Sequence, residues 1–235
     1  MSDPLRSLRR QWHRLLGTRI YEQDGVKLRS GEGDLPRTVR NLLYKGGYEA
    51  AERELLKRVV RPGSRVLEIG CGIGFVSLLC TRLAGEGNVR SFEANPVLEP
   101  VIRGNYALNG FEPDLVMKAV TANGDPIRFH RDDNILSSSS FDRGRETELI
   151  TVSAEAFAQA LAAHGSDVVV MDVEGAEVSL LHGSDLSGVR AMVVEMHPHI
   201  VPQADLDAMT AHVEAQGLRL SDRLQKSALF ERAAA

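Results

Sequence analysis

The chain has 235 residues, 43% hydrophobic and 26% charged, with a formal net charge of -4. That size and balance fit one larger soluble domain with enough core for a sheet covered on both faces, and the acidic excess argues against wholesale nucleic-acid binding. The two cysteines, Cys71 and Cys80, lack C-x-x-C spacing and read as reduced, buried residues of a cytoplasmic protein; no apolar run approaches a membrane span, and no signal-peptide core opens the chain.

Residues 5–16 place Leu5, Leu8, Trp12 and Leu15 on one helical face, with Arg6, Arg9, Arg10 and Arg14 elsewhere. Such a basic amphipathic helix has two readings. Its apolar stripe packs on the domain or on a second copy in a homodimer, as such stripes usually do, or it lies on an anionic membrane near a lipid-linked substrate. Residues 18–34 are polar and glycine-punctuated, which predicts a hairpin or flap. Residues 1–47 thus read as an N-terminal extension and 48–235 as the main domain. A helix over 48–60 carries Ala51, Leu55, Leu56 and Val59 in register and stops at Arg61-Pro62-Gly63. Tyr48 and Glu49 at its start either reach a ligand at the strand edge or are ordinary first-turn residues.

Residues 66–75 organise the rest. Val66, Leu67 and Ile69 form a short buried strand, Gly70, Gly72 and Gly74 let the backbone turn sharply, and Phe75, Leu78, Leu79 and Leu83 begin a helix. Strand, glycine turn and helix open a ligand site at the carboxyl edge of a doubly wound α/β sheet. The spacing is not the G-x-G-x-x-G of a dinucleotide site, because Phe75 stands where the third glycine belongs. Glu68 is expected to face the pocket, where an anion favours a cationic ligand over a pyrophosphate. The E-x-G-x-G-x-G pattern resembles the first motif of S-adenosylmethionine-dependent methyltransferases.

A second strand over 89–92 ends at Glu93-Ala94-Asn95-Pro96, where Glu93 is placed to accept both ribose hydroxyls of a nucleoside and Asn95 to cap the next helix, over 97–108. Residues 115–120 read as a third strand and 127–130 as part of an extra hairpin. The serines 137–140 lie in a surface loop or lid, and a helix over 154–163 follows. Residues 167–175 form a strand ending in Asp172 and Glu174, and residues 189–195 deliver Glu195, His197 and His199 to the same edge. The close of the chain predicts a helix over 206–216 and two strands, near 218–220 and 228–231.

The block Met171-Asp172-Val173-Glu174-Gly175-Ala176-Glu177, followed by Val193-Val194-Glu195-Met196-His197, resembles the FkbM family of methyltransferases. The resemblance spans residues 49–197. Glu68 and Cys71 stand where the family commonly has Asp and Ala. It implies a Rossmann-like class I methyltransferase with a mostly parallel seven-stranded sheet and an N-terminal helical extension. It also implies transfer of a methyl group from S-adenosylmethionine to a hydroxyl of a sugar, glycolipid or polyketide-type acceptor. The expected cofactor contacts are Glu68, Gly70, Cys71, Gly72, Gly74, Glu93, Ala94, Asn95 and Asp172; the expected catalytic residues are His197, Asp172 and Glu195. The acceptor is deprotonated by His197 as general base, or polarised by a divalent cation on Asp172, Glu174 and Glu195, with or without His197. Glu177 reads as a helix surface residue, and His182 and His199 as structural. A nicotinamide-dependent oxidoreductase and a non-catalytic cofactor-binding module are the competing readings.

Overall fold

The computed structural model describes residues 4–131 and 148–233, so the serines 137–140 lie outside the described residues. The chain opens with helix α1 (Pro4–Leu15), the hairpin β1 (Ile20–Gln23) and β2 (Val26–Arg29), and helix α2 (Arg37–Tyr44). Then come α3 (Ala50–Val59), β3 (Val66–Ile69), α4 (Phe75–Ala84), β4 (Val89–Phe92), α5 (Glu99–Asn109) and β5 (Asp114–Val116). Strands β6 (Ala119–Thr121), β7 (Ile127–Arg131), β8 (Glu148–Val152) and β9 (Ala154–Ala156) form two small pairs, β6 with β9 and β7 with β8. The remainder is α6 (Phe157–His164), β10 (Val168–Met171), α7 (Glu177–Leu181), β11 (Ala191–Glu195), α8 (Gln203–Ala215), β12 (Leu218–Leu224) and β13 (Ser227–Arg232).

Seven strands make the main sheet in the order β12-β13-β11-β10-β3-β4-β5. The five from β11 to β5 are parallel, and β13 runs antiparallel between β11 and β12. This is the doubly wound, mostly parallel, Rossmann-like α/β sheet expected. Strand order reverses between β3 and β10, so the crevice of the fold opens at their carboxyl ends.

Period-two alternation divides the core. Leu67, Ile69, Val169 and Met171 face α6, α7 and α8, packing with Phe157, Leu181 and Met209. Val66, Val168 and Val170 face α3 and α4, packing with Leu55, Leu56, Val76 and Cys80. Beyond α4 a further cluster joins Phe75, Leu78, Ile102 and Tyr106 to Tyr21, Val26 and Leu28 of the hairpin and to Val39, Leu43 and Tyr44 of α2. Residues on both sides of position 47 therefore share one apolar cluster. Asn105 on α5 stitches the hairpin down: its Oδ1 accepts from the Arg29 N–H at 2.9 Å, and its Nδ2 donates to the Ile73 carbonyl at 2.9 Å.

Three expectations change. The strand over 115–120 divides into β5 and β6, because the Lys118 N–H turns back to the Val116 carbonyl at 2.9 Å and ends the ladder. Helix α2 was hidden in the sequence: after Pro36 only Val39, Leu43 and Tyr44 are buried on it. The apolar stripe of α1 does not pack on the domain. Leu5, Leu8, Trp12 and Leu15 are 72%, 60%, 61% and 82% exposed. The helix docks instead through His13, stacked on Tyr44 at 5.0 Å, and Arg9, over the Tyr21 ring.

Gly70 and Gly63 separate two costs. Both have φ near +80°, but a Cβ on Gly63 meets nothing within 4 Å, whereas one on Gly70 falls 1.9 Å from the Asp172 carbonyl oxygen. Gly63→Ala should cost about 1 kcal/mol for its left-handed backbone. Gly70→Ala should cost several-fold more, or prevent folding, because the obstruction is backbone. Equal loss in urea denaturation would refute this account of the contact.

Candidate active site

The carboxyl edge brings four segments together. The glycine turn leaves β3, residues 93–95 leave β4, Asp172 and Glu174 follow β10, and Glu195 and His197 lie at the end of β11. A cavity of about 360 Å³ opens among Asp172, Glu174, Glu195, Tyr48, Glu49 and Glu52. Glu49 and Glu174, with Gln225 at the rim, hold left-handed φ of 47°, 52° and 54°. Such conformations cost of order 1 kcal/mol each and persist where surrounding structure imposes them.

His197 is the centre of the acidic group, and its ring is almost fully buried. Nδ1 lies 2.6 Å from Glu177 Oε1, while Nε2 lies 3.4 Å from Glu174, 3.7 Å from Asp172 and 3.7 Å from Glu195. Glu177 is thus no surface residue. It is wholly buried, accepting from the Gly175 N–H at 3.1 Å as well as meeting the imidazole. The sequence offered little sign of this, since the two partners stand twenty residues apart on different elements. Glu52 was also unmarked; it takes the Ser227 hydroxyl hydrogen bond and lies beside the cavity. His199 is exposed, edge-on to His197 with ring centres 5.7 Å apart, and the exposed His182 lies against His212.

On the other side of the switch point, Glu93 bridges two loops. Its Oε2 accepts from the Gly72 N–H at 2.9 Å and its Oε1 from the Asn95 N–H at 2.8 Å. Asn95 caps the turn that follows, its Oδ1 accepting from the Val97 N–H, and Ala94 packs beside Ala119 and Val152. The turn's glycines serve different neighbours: a Cβ on Gly72 would lie 3.2 Å from the Tyr48 hydroxyl and 3.7 Å from Glu49, whereas one on Gly74 would meet Ile102. The Cys71 side chain is buried in the apolar cluster of α4 and the hairpin.

Glu68 departs from expectation. As the third residue of β3 it shares the α4 face with Val66, where it receives hydrogen bonds from Ser77 on α4 and from Ser91, its register partner on β4. Alternation carries it under the sheet instead of into the crevice.

The profile of the methyltransferase FkbM domain matches residues 68–220, which include the turn, Glu93, the acidic block and His197. The chain belongs to the FkbM methyltransferase family. No curated protein matches it. A solved methyltransferase from Pyrococcus furiosus is similar over 99% of this chain and 100% of that one, with 14% identity and a TM-score of 0.50. Precorrin-6y C5,15-methyltransferase from Geobacter metallireducens is similar over 79% and 88%, with 15% identity and a TM-score of 0.47. At such identities the likeness concerns the fold.

The site of this FkbM methyltransferase concentrates negative charge. Burial, then the charges of Glu195 and Glu174, raise Asp172 well above the carboxylate range. Burial and Glu52 raise both Glu49 and Glu195. Burial pulls His197 down, but the Glu177 hydrogen bond and the surrounding carboxylates outweigh it and leave the ring raised. Glu93 is pushed up to about 7 by burial, against the backbone N–H groups that favour its ionised form. Acid groups so crowded are stabilised by protons or by a cation.

Glu68 provides a test. Burial pushes its pKa from 4.5 to about 7, against the two serine hydrogen bonds. Because the folded value is the higher one, the associated stability is complete below about 4.5 and is lost as pH rises through about 7. Glu68→Gln keeps an acceptor oxygen for both serines and removes that loss. Relative to the parent, the variant should gain on the order of 3 kcal/mol across this window. A difference that stays flat in urea denaturation over the same range would mean Glu68 ionises normally.

Proposed function

We propose that this methyltransferase uses S-adenosylmethionine to methylate a hydroxyl oxygen on a sugar, glycolipid or polyketide-type acceptor, with a divalent cation at the acceptor side. One observation carries the reading. A buried imidazole nitrogen lies 3.4 to 3.7 Å from three carboxylates that line one cavity, across the switch point from a glycine turn and an acidic strand end.

The residues on the donor side fit the proposed cofactor. Glu49 Oε2 is buried with no hydrogen-bond partner, beside the Gly72 backbone, and suits the ammonium of a methionine moiety. Each Glu93 oxygen already accepts one backbone N–H and has a further lone pair for a ribose hydroxyl. Gly70, Gly72, Ala94 and Asn95 supply the backbone around that position, whereas the side chains of Glu68 and Cys71 support it from beneath. S-adenosylmethionine supplies an electrophilic methyl group when bound.

On the acceptor side the geometry favours a cation over His197 acting as a free base. Separations of 3.4 to 3.7 Å from Nε2 to three carboxylates exceed a hydrogen bond. They suit ligands that share an ion, which lie about 3 to 4 Å apart when each is about 2.1 Å from it. The three best-placed ligand atoms, on Asp172, Glu195 and His197, all lie within 4.8 Å of one another, and Asp172 Oδ1 is buried without a hydrogen-bond partner. A carboxylate on the far ring nitrogen, as Glu177 is on Nδ1, holds the tautomer that leaves Nε2 a lone pair. Asp172, Glu174, Glu195 and His197 would hold a divalent cation, which would supply the Lewis acidity that lowers the pKa of an acceptor hydroxyl. The family match counts against the oxidoreductase reading, and this cluster counts against a non-catalytic module.

Calorimetry and turnover decide between the parts. S-adenosylmethionine should bind and NADH should not, and Glu93→Ala should abolish binding. Glu195→Gln should keep cofactor binding yet lose turnover on hydroxylated acceptors by ~100-fold or more. Turnover should cease on exhaustive chelation and return with added divalent metal. Glu177→Gln should weaken metal binding by ~10- to 100-fold. Activity that survives chelation overturns the cation route, and binding of NADH alone overturns methyl transfer.

A further inference from the structure

Among the described residues, nine large hydrophobic side chains are exposed, and six of them, Leu5, Leu8, Trp12, Leu15, Leu16 and Ile20, fall in one short stretch. The helix that carries most of them is turned the unusual way round. Its inward contacts are made by His13 and Arg9 with Tyr21 and Tyr44, and its leucines face out. Position along the helix puts Leu5, Leu8, Trp12 and Leu15 in one arc, with Arg9 at its margin and Arg14 on the far side. Between residues 4 and 21 there are five arginines and no acid, in a chain whose net charge is -4. The charge is thus segregated: a cationic segment on an acidic body.

From this we propose that α1 is a docking element for the surface of an anionic lipid bilayer. The outward leucines and Trp12 enter the interface while the positive charge of the segment draws it to anionic headgroups. No described helix is long and apolar enough to cross a membrane, so the contact is peripheral. A second copy of the chain is a poorer occupant. Face-to-face stripes would bring two sets of five arginines together, and a helix of 12 residues presents much less than the about 800 Å² per partner of a standard interface. The position also has a use. Arg9 and Arg6 lie beside Gly46 and Gly47, and Gly47 leads directly into the Tyr48 and Glu49 wall of the cavity. A bilayer under α1 would therefore lie close to the site's mouth.

The experiment does not depend on methyl transfer. Trp12 is the sole tryptophan, so intrinsic fluorescence reports on this helix alone. The full chain is titrated with vesicles of phosphatidylcholine, and with vesicles containing about one third phosphatidylglycerol, alongside co-sedimentation. Expected are a blue shift and co-sedimentation with the anionic vesicles only, both diminished by high salt. Leu8→Glu with Leu15→Glu should lower the bound fraction roughly tenfold or more, with an unchanged circular dichroism spectrum because both side chains are exposed. Absence of binding to anionic vesicles overturns the proposal. So does a concentration-dependent dimer that is blue-shifted without lipid and dissociated by the same double substitution, which assigns the stripe to a second copy.

Discussion

The absence of one carbon atom at position 70 lets the two halves of the site meet. Strands β3 and β10 are neighbours at the switch point, and the Asp172 carbonyl occupies the space where a side chain on Gly70 would begin. In the function proposed, the glycine turn, Glu93 and the wall formed by Tyr48 and Glu49 make up the donor side, and Glu174, Glu195 and His197 the acceptor side. Group transfer needs its two reactants within a few ångströms of each other, and this backbone approach brings the two sets of segments together.

Electrostatics then divides the acids by task. Glu68 and Glu93 are both held up near 7, with burial the largest cause, but their partners differ. Glu68 is met by hydroxyls, which rotate to serve either protonation state. Glu93 is met by backbone N–H groups, which can only donate, and so it is prepared for the ionised form. Asp172 and Glu195 are raised by burial and by neighbouring acids, Glu174 among them. All three approach His197, itself clamped by Glu177, and Lys226 lies 3.5 Å from Glu195. The cluster is a place prepared for positive charge.

Much of this was legible because central parallel strands write themselves as apolar runs. Val66, Leu67 and Ile69, or Val168 to Met171, have few other homes, and the acids just past them had to reach the common edge. Glu68 misled because it lies inside its strand: motif position suggested the crevice, while alternation points it at Ser77. Glu177 misled for another reason. In the sequence it is an acid near the start of a short helix, and only the approach of β11 to α7 turns it into a buried partner of His197. Similarly, α1 showed the right helix and the right stripe, but amphipathicity does not state which face is docked. The aromatic contacts of His13 and Arg9 decide that, and they depend on Tyr21 and Tyr44 being brought together by the fold.

Asn105 adds a polar tie between places that also share an apolar cluster. A single primary amide donates to the Ile73 carbonyl within the glycine turn and accepts from Arg29 on the hairpin, and its geometry leaves little substitute chemistry. Asp in its place would set an acceptor against an acceptor, and Ser would fall short of one of the two. Strand β2 thus meets the turn through one planar group as well as through the apolar cluster. A substitution at position 105 would therefore loosen the hairpin and the fold's innermost loop together.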